Sequence, residues 1–138
     1  MTKQEQLVVA ARGWLGTPYQ HHQSLKGVGA DCVGLLMGVG REIGVIPADY
    51  QPPIYDSFGD TERLFEQMAL FCDEIPLEDA GYGDIYILTV MGVPTHVAIK
   101  TDKGMIHAAG WIGLTTEHPL RPFENRSLYR AYRLKEVV

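Results

Sequence analysis

Polar and apolar positions change their rhythm about halfway along this chain. Up to about residue 72 apolar side chains recur at helical spacing, and after Pro76 they come in short β-rich runs, an α+β order. Thr2 and Glu5 have capping-box spacing, and Leu7, Ala10, Ala11 and Trp14 follow on one helical face until Gly16-Thr17-Pro18 stops the helix. Residues 19–30 read as a loop containing Gly27 and Gly29. Asp31 is an N-cap for a second helix over 32–43, ended by Gly44 and Pro47. Gly34 and Gly38 share one face of that helix. Each costs about 1 kcal/mol of helix stability relative to alanine, so another element is expected to pack very close there. Residues 48–59 read as a loop. Asp60 caps a third helix running to about Cys72, with Leu64, Phe65, Met68 and Phe71 facing inward.

Strands are predicted over 84–90, 95–101, 105–109, 111–117 and 128–134, with a turn at 91–94 and a tight hairpin at Asp102-Lys103-Gly104. A two- or four-residue hairpin loop places His96 opposite Ala109 and His107 opposite Ala98. The two histidines are then diagonal neighbours on one face, and a slip of one residue would separate them. The small Ala98 and Ala109 leave room on that face for another element, such as the helix carrying Cys32.

The 138 residues fit one domain spanning 1–138, with 46% hydrophobic and 21% charged residues and a net charge of -5. An acidic chain without a basic patch argues against nucleic-acid binding. No apolar run is long enough for a bilayer, and the first sixteen residues lack the basic and apolar regions of a signal peptide. The expectation is a protein made in the cytoplasm, with any action outside it depending on delivery by other means. Two cysteines, Cys32 and Cys72, are too few for a disulfide scaffold, although a single bridge between them is compatible with the sequence.

Chemistry concentrates at Cys32. It opens a helix directly after a Gly-rich loop, where unpaired N–H groups and the helix dipole favour a thiolate and can receive an oxyanion. Buried packing is the competing reading for any free cysteine. A nucleophilic thiol needs a base, and the base an orienting partner; His96 and His107 fill those places. Cys72 reads as a core residue, His21 and His22 as loop residues able to line a cleft, and His118 as a loop histidine without a partner. With no HExxH or CxxC spacing and no phosphate-binding loop, neither metal nor nucleotide is expected.

Three blocks resemble, in order, the catalytic blocks of the NlpC family of cell-wall peptidases. They are Leu15-Gly16-Thr17-Pro18-Tyr19 with Asp31-Cys32-Val33-Gly34-Leu35, then Gly83-Asp84-Ile85-Tyr86 with Thr95-His96-Val97-Ala98-Ile99, then Met105-Ile106-His107-Ala108. The chain departs from that family at Val33, where serine is common, and at Gln20-His21-His22-Gln23-Ser24-Leu25, where Gly-Gly is common. The resemblance implies a papain-like α+β fold with N-terminal helices packed on a central antiparallel sheet, and no cofactor. It implies Cys32 as nucleophile, His96 as base and His107 as the residue orienting the base. Tyr19 falls on the substrate and oxyanion side, where Asp31 is also placed beside its role as a cap. The implied substrates are peptidoglycan stem peptides, often cut between D-glutamate and diaminopimelate. Short members of this kind resemble the phage-encoded branch, whose partners include tail proteins. An amidase or acyltransferase on the same fold, or a tail-assembly protein without activity, is the alternative.

Overall fold

The computed structural model describes residues 1–52 and 61–135. Helix α1 (Lys3–Arg12) begins at the Thr2–Glu5 capping box, in which each side chain bonds the other residue's backbone N–H. Loop residues 19–30 carry a short ladder, β1 (Ser24–Leu25) with β2 (Gly29–Ala30). Helix α2 (Cys32–Glu42) starts at Asp31, whose Oδ1 accepts from Gly34 N–H at 2.7 Å. Helix α3 (Thr61–Phe71) follows; its expected cap, Asp60, lies outside the described residues, as does most of the loop expected over 48–59.

Cys72 does not end that helix. It opens strand β3 (Cys72–Ile75), opposite Leu134, and is 4% exposed in the core, so its packing role stands while its element changes. After a 3-10 turn at Leu77–Asp79 come β4 (Ile85–Val90), β5 (Val93–Thr101), β6 (Gly104–Ala108), β7 (Thr115–His118), the short helix α4 (Pro122–Ser127) and β8 (Leu128–Leu134). The expected turn at 91–94 shrinks to Met91-Gly92, both at positive φ, because β5 already pairs from Val93. The expected strand over 111–117 is realised only from Thr115.

The six-stranded sheet has the order β3-β8-β4-β5-β6-β7, with every pairing antiparallel. Alternation along the strands gives it two apolar faces. Ile85, Ile87, Val97, Ile99, Ile106 and Ala108 join Leu7, Val8, Leu35, Val39 and Met68 in the main core beneath the helices. Tyr86, Leu88, Ala98, Met105 and Ala131 form a second cluster on the opposite face. The two glycines of α2 sit where close packing demands them. A Cβ on Gly34 would collide with the Gln23 carbonyl, and one on Gly38 with the Trp14 ring. Arg12 of α1 reaches Glu117 of β7 through two bonds of 3.1 and 2.9 Å, tying the helical layer to the sheet edge.

Candidate active site

The hairpin between β5 and β6 has the register its two-residue turn requires: Thr101 pairs with Gly104, Lys100 with Met105 and Ile99 with Ile106. There the ladder stops. Continuing it would pair Val97 with Ala108 and Thr95 with Gly110, but the strands part instead. Cys32 occupies the mouth of the gap. Its Sγ lies 3.9 Å from the Thr95 carbonyl and also approaches the Val97 N–H, two backbone groups on either side of His96 that β6 no longer pairs. Cys32, His96, Ala108 and Gly110 line one cleft, together with Tyr19, His21 and Asp31.

This differs from the expected route. His96, Ala98 and His107 do share a face, but Ala98 packs into the second cluster, away from the helices. The room for the cysteine helix is the split between the strands, not the space above the two alanines. Across that split, His96 Nε2 and His107 Nδ1 meet at 2.8 Å, a side-chain bond where the backbone ladder has ended. His96 Nδ1 has no hydrogen-bond partner among the described residues, and His96 shares its cleft with Cys32.

Burial dominates the electrostatics. It pushes the Cys32 thiol up to about 12, with a further push from Asp31, against the lowering by N–H groups of Val97, Val33 and Cys32 itself. The helix N-terminus therefore acts as expected but is outweighed, and the resting thiol is neutral. His96 is lowered to about 3 by burial and then by His107, and His107 to about 4 by burial and then by His118. Both imidazoles are neutral at ordinary pH. Tyr19 is raised by burial, by Cys32 and by Asp31, so it remains a phenol able to donate a hydrogen bond.

Asp31 serves the site as its cap. Oδ1 holds Gly34 N–H and Oδ2 holds His22 N–H at 2.8 Å, while His21 Nδ1 lies 3.6 Å from Oδ2. Both Asp31 oxygens thus accept backbone N–H groups, and of the two residues placed on that side it is Tyr19 that carries a hydroxyl able to donate.

Three residues escaped the sequence reading. Trp111, 50% exposed, leaves the expected strand and lays its ring 4.9 Å from that of His96, shielding one side of the imidazole. His118 ends β7 instead of lying in a loop, and its Nε2 lies 2.8 Å from His107 Nε2. Glu124 on α4 is 1% exposed and approaches both rings, at 4.0 Å from His107 and 3.8 Å from His118. Only the β6–β7 register, His107 opposite Thr116 and Met105 opposite His118, brings His118 to His107. His107, His118 and Glu124 offer three atoms within 4.8 Å of one another, a possible metal geometry. Those atoms are already engaged: the two rings bond each other, and Glu124 takes bonds of 2.7, 3.0 and 2.9 Å from Arg121. A cation there would face the Arg121 guanidinium, so the set reads as a hydrogen-bond network.

The antiparallel sheet with its helix layer has the NlpC/p60 fold. Solved structures with this architecture include the NlpC/p60 domain of the peptidoglycan hydrolase SagA (TM-score 0.68, 19% identity, 96% of this chain and 100% of that one). An NlpC/P60 family protein from Bacillus cereus superposes with a TM-score of 0.70 at 21% identity, over 95% of this chain and 40% of that one. The peptidoglycan hydrolase RipB from Mycobacterium tuberculosis gives 0.65 at 21% identity, and this chain spans 97% of its own length but only 65% of RipB. No family model matches the sequence, and no curated protein matches it.

Proposed function

We propose that this protein is a cysteine peptidase that hydrolyses peptide bonds in peptidoglycan, with Cys32 as nucleophile, His96 as base and His107 orienting the base. The observation that carries the reading is the split hairpin. It sets a thiol at a helix N-terminus on the same cleft as an imidazole whose Nε2 is already held by a second imidazole at 2.8 Å. The fold shared with two peptidoglycan hydrolases supports the substrate class.

Because thiol and imidazole are both neutral at rest, catalysis starts by general base. The Cys32 S–H passes its proton to His96 Nδ1 as sulfur bonds to the substrate carbonyl carbon. The resulting oxyanion receives the Cys32 backbone N–H and the Tyr19 hydroxyl, an arrangement in which one donor is worth about 10²–10³ in rate. His96 then gives the proton to the departing amine as the C–N bond breaks, leaving a thioester. Water attacks that thioester while His96 takes its proton, and the acid product leaves as the thiol is restored. The bond we assign, from the sequence resemblance, is the one between D-glutamate and diaminopimelate. On the same ground we assign the protein to a phage or prophage, acting at the wall through a virion and beside tail proteins.

The test incubates the protein and a Cys32→Ala variant with diaminopimelate-type peptidoglycan fragments and weighs the products by mass spectrometry. Cleavage by the parent alone, with masses matching a cut after D-glutamate, is expected. Fragments left intact by both proteins would remove the peptidase reading.

A further inference from the structure

Behind His96 the ring nitrogens form a chain that ends on a backbone carbonyl. His96 Nε2 meets His107 Nδ1 at 2.8 Å, His107 Nε2 meets His118 Nε2 at 2.8 Å, and His118 Nδ1 lies 2.7 Å from the Pro119 oxygen. A carbonyl can only accept, so His118 Nδ1 carries a hydrogen. With all three rings neutral, each has one donor and one acceptor, so His118 Nε2 is a lone pair and His107 Nε2 must donate to it. His107 Nδ1 is then the lone pair facing His96, and His96 Nε2 must donate in turn. The last lone pair falls on His96 Nδ1, the nitrogen left for the cysteine.

We infer that His118, anchored on the Pro119 carbonyl, is a positioning residue that sets the tautomer of His96 through His107. With the rings neutral, none keeps a free choice once the carbonyl is engaged. The opposite chain, started by a hydrogen on His118 Nε2, would end with a hydrogen on His96 Nδ1 and no base for the thiol. Glu124 completes the device. Burial works to raise its carboxyl, but the Arg121 guanidinium and backbone N–H outweigh that and lower it, so a carboxylate stands 4.0 Å from His107 and 3.8 Å from His118. Its charge opposes the positive charge that reaches the rings when His96 takes a proton. A chain made only of imidazoles would otherwise lack the anion that a carboxylate orienter supplies.

The inference rests on His96 being the base, and its first test needs no substrate. Imidazole ¹⁵N spectra of the intact protein at neutral pH report which ring nitrogens bear hydrogen. Expected are a bare Nδ1 on His96 and hydrogens on His96 Nε2, His107 Nε2 and His118 Nδ1. A hydrogen on His96 Nδ1 would overturn the inference. In His118→Ala, His96 should become a mixture of tautomers, and kcat on wall fragments should fall about tenfold or more at unchanged KM, a part of the ~10⁴-fold that a wrong tautomer costs a triad. In His118→Gln, whose carbonyl accepts from His107 and whose amide donates to Pro119, the tautomer and kcat should return. Lost activity with His96 Nδ1 still bare would make His118 a packing residue and sink the proposal. The expected spectra without wall cleavage would instead remove the substrate reading and leave this one standing.

Discussion

At Cys32 two physical effects oppose each other within one side chain. Backbone N–H groups at the start of α2 and at Val97 favour the thiolate, while burial and the neighbouring Asp31 disfavour it and win. Cys72 is raised to about 12 as well, mainly by burial, but it is sealed in the core, whereas Cys32 opens on the cleft. Iodoacetamide should therefore label Cys32 and spare Cys72 in the folded protein, as site-resolved mass spectrometry would report. The sign of the pH dependence follows from the raised pKa: the Cys32 rate should keep climbing through pH 9, because the thiolate fraction is still growing there. A rate already level below pH 7 would mean a preformed thiolate–imidazolium pair and would contradict the neutral resting state.

The elements that aim these side chains are α2 and the split hairpin. Gly34 lets α2 approach the Gln23 carbonyl, and the same carbonyl receives the Asp31 N–H at 3.3 Å, so the loop and the N-terminus of the cysteine helix are locked together. Helix propensity alone says that Gly34→Ala should stabilise α2 by about 1 kcal/mol. The collision with a backbone oxygen decides the other way, because backbone cannot swing aside as a side-chain tip can. The expected net effect is a loss of about 1–3 kcal/mol, the usual cost of overpacking, read from the denaturant midpoint. A gain in stability would show that the Gln23 loop yields freely and does not hold the site.

For the whole molecule, burying neutral imidazoles in the sheet links stability to pH. His96 and His107 have folded values near 3 and 4 against an ordinary 6.5, so between those limits the unfolded chain binds protons that the folded one refuses. Stability is complete above about 6.5 and is lost as pH falls, at up to about 1.4 kcal/mol per pH unit for each histidine. Urea midpoints taken from about pH 7 to 5, above the range where carboxylates titrate, should decline accordingly. The slope should flatten in His107→Gln, which removes one of the two groups. An equal slope in the variant would show that these imidazoles protonate without unfolding the protein.

Much of this was legible in the sequence because it depends on local chemistry. The Thr2–Glu5 capping box, the Asp31 cap, the Gly34–Gly38 face, the period-2 strands and the two-residue turn at Asp102-Lys103 are set by residues within a few positions of one another. The turn alone fixes the register that brings His96 near His107. The order of helices then strands, with three short motifs, sufficed for the fold class. What tertiary structure decided lies wherever distant segments compete for the same groups. Where β6 leaves β5 after Ile106, and the thiol takes up the freed backbone, depends on α2 reaching the sheet, which no local pattern encodes. The partners of His107 other than His96 come from β7 and α4, both of which follow the strand on which it sits. Their meeting is a matter of sheet register and packing, so His118 looked unattached and Glu124 went unnoticed. The direction of the Cys32 shift was also a tertiary outcome: the helix N-terminus is written in the sequence, but the burial that outweighs it exists only once the chain has closed around the site.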